Sequence, residues 1–297
     1  MHRTVAVPVI AAVAAAGAAA AVIVAVSGPA GRPGRPRPAS YYLSLGDSLS
    51  QGVQPDRAGA SVRTSQGYPD QLQAMLRPGR PGLRLVKLGC PGETTATMIH
   101  GGICGYRGGS QLAAAIRFLR AHRGRVALIT IDIGANDPNA CILHPSLGTA
   151  ARCVGSTIPG AASNLARILR ELRAASGGNV RIIGMNYYVP ELAEWRNGLA
   201  GRLLARLSAQ LAAGYNLLLA RTYAAAGVRV ADVASAFRTG DFGSQVSRPA
   251  LGTAPRNVAL ICSWTWACAP PPRGPNQHAN AAGYRVIAEA FRCADRG

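Results

Sequence analysis

The chain has 297 residues, 48% of them hydrophobic, which excludes a disordered protein and is enough for a full core in one large domain or two small ones. Its 32 basic against 13 acidic residues give a net charge of +19, yet the cations are scattered arginines with Lys87 the sole lysine, and only 5% of residues are aromatic. That pattern argues against nucleic-acid binding, which gathers cations on one face with aromatics among them, and leaves an anionic envelope surface as the macromolecular partner the charge would suit.

The first element is a leader. Met1-His2-Arg3 is a short basic start, and residues 4–26 follow without a charge, rich in alanine and valine. Residues 1–30 therefore read as a signal peptide, with small residues at Gly28-Pro29-Ala30 for cleavage, or as an uncleaved N-terminal anchor just long enough to span a bilayer. Residues 31–38, GRPGRPRP, are an extended spacer. The folded domain is expected over 39–297, secreted or extracytoplasmic and monomeric.

Strands are expected at 41–45, 83–88, 126–133, 180–185 and 228–233. Helices are expected at 68–76, 110–121, 160–175, 198–226 and 279–291. This alternation predicts an α/β domain with a five-stranded parallel sheet. The leucine-rich run 199–225 reads as a helix covering that sheet. Export to an oxidising compartment agrees with seven cysteines, of which six fall into local couples: Cys90 with Cys104, Cys141 with Cys153, and Cys262 with Cys268, leaving Cys293 over. No C-x-x-C pair or histidine cluster calls for a metal, and no cofactor is expected.

Ligand sites of open parallel sheets form beyond the carboxyl ends of the strands. Three such ends carry polar, glycine-containing segments: Gly46-Asp47-Ser48 after the first strand, Gly89 to Thr95 after the second, and Gly134-Ala135-Asn136-Asp137 after the third. Acyl transfer needs a nucleophile, a base and donors aimed at a developing oxyanion. Ser48 supplies the hydroxyl. Its own backbone N–H, that of Gly92 and the Asn136 side-chain amide are the candidate donors. Of five histidines, His278 is the candidate base, because it stands in GPNQHANAAGY immediately before the last helix, where a loop can aim the ring.

With these residues the chain resembles the SGNH, or GDSL, serine hydrolases, whose four blocks supply a serine, a glycine, an asparagine and a histidine. Here they are Gly46-Asp47-Ser48-Leu49, Gly92, Gly134-Ala135-Asn136-Asp137 and His278, in the family's order, and the resemblance runs from Tyr41 to about Phe291. It implies a flavodoxin-like three-layer α/β/α sandwich and hydrolysis of a small-molecule or lipid ester, in the manner of the secreted esterases and lipases. The G-x-S-x-G elbow of α/β-hydrolases is absent, since Ser50 occupies its second glycine position.

One position departs from the family. Many members carry an aspartate three residues before the histidine, where this chain has Pro275 followed by Asn276. A Ser48–His278 dyad is therefore expected, with the ring N–H donating to the Pro275 backbone carbonyl, as in some secreted members. Asn276 is the rival acceptor, ahead of a distant acid such as Asp232 or Asp241. Asp47 is expected to hold its turn rather than act as base, and Glu93 and Asp137 to be structural. Trp264 and Trp266 either line an acyl pocket or anchor a loop; Tyr187 and Tyr188 stand at the end of the fourth strand. A non-catalytic envelope-polymer-binding domain and a polysaccharide O-acetyl esterase are the alternative functions.

Overall fold

Five parallel strands, β1 (Ser40–Gly46), β4 (Leu83–Lys87), β5 (Val126–Asp132), β6 (Arg181–Met185) and β7 (Arg229–Ala231), form a sheet in the order β4-β1-β5-β6-β7. The computed structural model describes residues 40–138, 141, 147–177, 180–249 and 251–296. These fall within one compact unit, Pro38–Gly297. The expected leader and spacer lie outside the described residues.

The central strands are apolar on both faces, as a sheet covered by helices on each side requires. In β5, VALITID, every residue but Ala127 is buried. Helices α1 (Tyr68–Leu76) and α8 (Ala281–Arg296) pack together on one face. On the other, α2 (Thr95–His100), α3 (Gln111–Ala121), α4 (Leu147–Ser176) and α5 (Gly198–Ala225) pack in succession. The result is the three-layer flavodoxin-like sandwich, with its topological switch between β1 and β5.

Two of the helices that frame the site start at side-chain caps. Ser110 accepts from Ala113 N at the start of α3, and Asn280 accepts from Gly283 N at the start of α8. The last helix runs past its expected end because Asp295 is buried and paired with Arg80 at 3.0 Å and Arg181 at 2.7 Å. Helix α4 starts before its expected position and continues through Pro159.

Elements not anticipated are α2, closed by a Thr94–Thr97 capping box, a 3₁₀ helix (Pro190–Arg196), the four-residue α6 (Val233–Ala236) and α7 (Arg256–Trp264). Two short antiparallel pairs were also not anticipated, β2 (Gln54–Pro55) with β3 (Ser61–Val62) and β8 (Gln245–Arg248) with β9 (Gly252–Pro255). Disulfides join Cys90 to Cys104, Cys141 to Cys153 and Cys262 to Cys268, and Cys293 is free and exposed.

Candidate active site

The chain leaves β1 through Gly46, whose φ of +132° favours glycine and where a Cβ would lie 2.1 Å from the Asp132 carbonyl oxygen. Gln111 fixes this point from α3: Gly46 N donates to its Oε1 at 2.7 Å, and its Nε2 donates to Gly46 O at 2.9 Å. The following turn is held from below by Asp132, at the end of β5. Its Oδ2 accepts from Ser50 N at 3.1 Å and Asp47 N at 3.4 Å, while Oδ1 accepts from Tyr68 Oη at 2.5 Å. Asp47 Oδ1 in turn accepts from Leu49 N at 2.9 Å, the turn-holding part expected of it. Ser48 emerges at the crown of this turn, 9% exposed.

The loops after β4 and β5 are tied to each other across the crevice. Asn136 Nδ2 donates to the Glu93 carbonyl at 3.0 Å and, at 3.4 Å, to Asp47 Oδ2. Asp137 accepts from Thr95 N at 2.9 Å and from Thr95 Oγ1 at 2.5 Å, so it braces the neighbouring loop rather than only its own turn. Gly92 has φ +83° and open space where a Cβ would stand, whereas a Cβ on Gly89 would strike Ser50 Oγ. Gly92, not Gly89, faces the crevice. Among the described residues neither the Ser48 nor the Gly92 backbone N–H donates to a protein acceptor.

His278 rides on a loop clamped from several sides. Trp266 N donates to the His278 carbonyl at 3.0 Å, Asn276 N donates to Trp266 O at 3.1 Å, and Tyr188 Oη donates to Gln277 O at 2.9 Å. The Cys262–Cys268 disulfide closes the segment that carries Trp266. Trp266 thus anchors the loop. Its indole N–H reaches Gln54 Oε1 at 3.3 Å, Trp264 packs edge-on against Phe237, and Tyr188 stacks on the same Phe237 ring.

The ring contact differs from the expectation for Pro275. His278 Nδ1 lies 2.8 Å from Asn276 Oδ1, and among the described residues the ring makes no hydrogen bond to the Pro275 carbonyl. Asn276 Oδ1 also accepts from His278 N at 3.0 Å. A backbone N–H can only donate, so this contact fixes the oxygen end of the Asn276 amide, and Nδ1 must then carry the ring proton. Nε2 is left as an acceptor. Burial holds the imidazole well below its ordinary 6.5, at about 4, so it is neutral at pH 7. Asp232 and Asp241 serve their own turns, accepting from Ser235 N and Ser244 N respectively, and make no hydrogen bond to the ring.

Ser48, Gly92, Asn136 and His278 line one pocket of about 240 Å³, together with Arg63 and Gln277 among others. No hydrogen bond joins Ser48 Oγ to the ring; such contacts are often long in a free enzyme and tighten around substrate. A larger groove of about 720 Å³ between α4 and α5 shares no lining residue with this pocket, and its Arg173 is engaged by the Val180 and Gly227 carbonyls. Among the described residues no cluster of three potential metal ligands occurs.

Sequence reasoning missed Asp132, Tyr68 and Gln111 in the buried polar floor of the site; Glu93, expected to be structural, completes that floor by accepting from Gln111 at 3.0 Å. Burial raises the Asp47 and Asp132 carboxyls, and for Asp132 the neighbouring Asp47 charge adds to the effect. A signal was there. An aspartate closing a strand, VALITI, whose one other polar residue is Thr130, in a chain with 13 acidic residues, marks a carboxylate with a structural task.

The chain belongs to the GDSL-like lipase/acylhydrolase family, whose profile matches residues 44–286, and it is a carboxylic ester hydrolase. Among solved structures it is similar to an extracellular lipase from Streptomyces rimosus (TM-score 0.55, 18% identity, covering 86% of this chain and 100% of that one). It is also similar to a phospholipase A1 from Streptomyces albidoflavus (0.50, 19%, 86% and 99%) and an acetylxylan esterase from Geobacillus stearothermophilus (0.51, 15%, 86% and 93%). At these identities the likeness is one of fold. No curated protein matches the chain.

Proposed function

We propose that this chain is an exported serine esterase or lipase that works through an acyl-enzyme on Ser48. Ser48 Oγ attacks the ester carbonyl while its proton passes to His278 Nε2. The tetrahedral oxyanion is received by the N–H groups of Ser48 and Gly92 and by Asn136 Nδ2, which exchanges its long contact to Asp47 for the substrate. Collapse expels the alcohol, protonated by His278. Water, deprotonated by the same ring, then releases the acid and restores Ser48. Asn276 keeps Nδ1 protonated throughout and so holds the productive tautomer.

The observation that carries this reading is the pocket itself: it brings together the Ser48 hydroxyl, the neutral His278 imidazole with Nε2 as acceptor, and the Ser48 and Gly92 backbone N–H groups, which among the described residues have no protein acceptor. A volume of about 240 Å³ lies below the roughly 300–1,000 Å³ of drug-sized ligand sites, which suits a short acyl group. An O-acetyl esterase acting on polysaccharide is the second reading this size supports. Export is supported by the apolar segment 4–26 and by three disulfides, which persist in oxidising compartments.

The test is hydrolysis of soluble p-nitrophenyl esters of rising acyl length. We expect kcat/KM to be highest for acetate or butyrate, and Ser48→Ala and His278→Ala each to lower kcat by on the order of a thousandfold or more. Retained activity in Ser48→Ala removes that serine from the mechanism.

A further inference from the structure

Helix α5 is longer than the sheet it covers, and its overhang can be located residue by residue. Tyr223 packs its ring on Gly184, within β6. Asn216 hydrogen-bonds both Tyr187 N (2.9 Å) and Tyr187 O (2.8 Å), two residues past the end of β6. Tyr215 Oη donates to Gly134 O at 2.8 Å, two residues past the end of β5 and two before Asn136. The helix therefore runs antiparallel to the strands and reaches the level of their carboxyl ends at 215–216. Residues 198–214, about 25 Å of helix, project beyond that edge, on the side where Ser48 and Asn136 stand.

The overhang is apolar where it should be wet. Gly201 packs tightly against the Glu194 carbonyl, and Ala205 and Ala209 are buried, so one side rests on the 3₁₀ helix and its surroundings. The other side presents Leu199 (85% exposed), Leu203 (68%), Leu207 and Leu211 (65%), recurring every four residues, with Leu204 beside them. The charged residues of this half are all cations. Helix α5 contains no acidic residue, and exposed Arg202 and Arg206 are held by the Trp195 ring, at 5.5 and 5.2 Å, with Arg206 also over Phe242 at 4.7 Å.

We propose that the overhanging half of α5 docks on an anionic lipid surface, the leucines entering the acyl boundary and the arginines meeting headgroup phosphates. A helix with a leucine stripe and a basic flank is the form that interfacial binding takes. Charge selects this occupant over a second copy of the chain, which would bring like-charged arginine flanks together in a molecule already carrying +19. Docked this way, the element that touches the Asn136 loop lies at the membrane face. The proposal stands on the helix alone and does not require the catalytic assignment.

The test is co-sedimentation with vesicles of equimolar phosphatidylcholine and phosphatidylglycerol. The chains carry Ser48→Ala so that no lipid is consumed, and are made both full-length and starting at Pro38, the beginning of the compact unit. The Pro38 chain should bind. Leu203→Ser/Leu207→Ser/Leu211→Ser should weaken it by on the order of a hundredfold. Arg202→Gln/Arg206→Gln should weaken it about tenfold, and the unsubstituted chain should lose about as much on phosphatidylcholine alone. Circular dichroism and the thermal midpoint establish that the variants are folded; if the triple variant is not, Leu199→Ser alone should still weaken binding about fivefold. The proposal is overturned by a Pro38 chain that ignores the vesicles or by leucine variants that bind like the parent. A leucine-dependent dimer that excludes vesicles also overturns it, assigning the face to a second copy. Binding by the Pro38 chain that is lost in the full-length chain assigns the face to residues 4–26, with the same consequence.

Discussion

Asn276 accepts two hydrogen bonds from one residue, the backbone N–H and the ring N–H of His278. It supplies the orienting half of what an aspartate would do and none of the charge that stabilises an imidazolium. In the proposed mechanism Asn276→Ala should lower kcat about tenfold with KM little changed. The pH profile separates orientation from mere packing. With His278 held down to about 4 by burial, kcat/KM should stay high well below pH 6.5 and fall only near 4. Asn276→Asp puts a carboxylate on the ring N–H and should move that limb upward. An unmoved limb would mean that the residue at 276 does not govern the ring. The same burial bears on stability: the unfolded chain takes up this proton from 6.5 downward and the folded one only near 4, so the contribution is complete above 6.5 and is lost as pH falls toward 4.

Which acceptor holds the ring was not legible in the sequence, and the reason is geometric. A carbonyl at 275 and an amide at 276 are both within reach of residue 278, and only the path of the loop decides between them. Ser48 and Asn136 were singled out by their places after strands and His278 by being one of five histidines, and the three line one pocket. Gly92 needed coordinates to separate it from Gly89, since both are glycines in one turn-rich segment.

At the scale of elements, long periodic segments were legible and short capped ones were not. The α1 bounds agree with expectation because Tyr68-Pro69 opens the helix and the run that follows is amphipathic. Helix α2 was missed because six residues carry too little periodicity to stand out, and the strand pairs β2–β3 and β8–β9 are shorter still. The segment closed by Cys262–Cys268 is where element and function meet, because its Trp266 backbone holds the His278 loop from both sides. Replacing both cysteines by alanine should cost on the order of 2 kcal/mol of stability, seen as a lower thermal midpoint. It should also depress kcat more than the stability loss explains at temperatures where the protein stays folded. A variant with lowered stability and unchanged kcat would limit the bridge to a structural part.

The whole molecule places three strand ends of a parallel sheet around one crevice, which is why four separated sequence blocks meet. Its charge acts at the same scale. With 32 basic and 13 acidic residues, and ion pairs among the described residues that are mostly partly exposed, self-repulsion should outweigh attraction. Raising salt from low to roughly physiological ionic strength should therefore raise the thermal midpoint by a few degrees, through screening; a fall would mean that the ion pairs dominate. The central claim, that Ser48 is a nucleophile activated by His278, is tested most directly by treating the folded protein with a fluorophosphonate and mapping the adduct by peptide mass spectrometry. A single adduct on Ser48, absent in His278→Ala, is the predicted result, and an unlabelled Ser48 in folded protein, or labelling that persists without the imidazole, would contradict it.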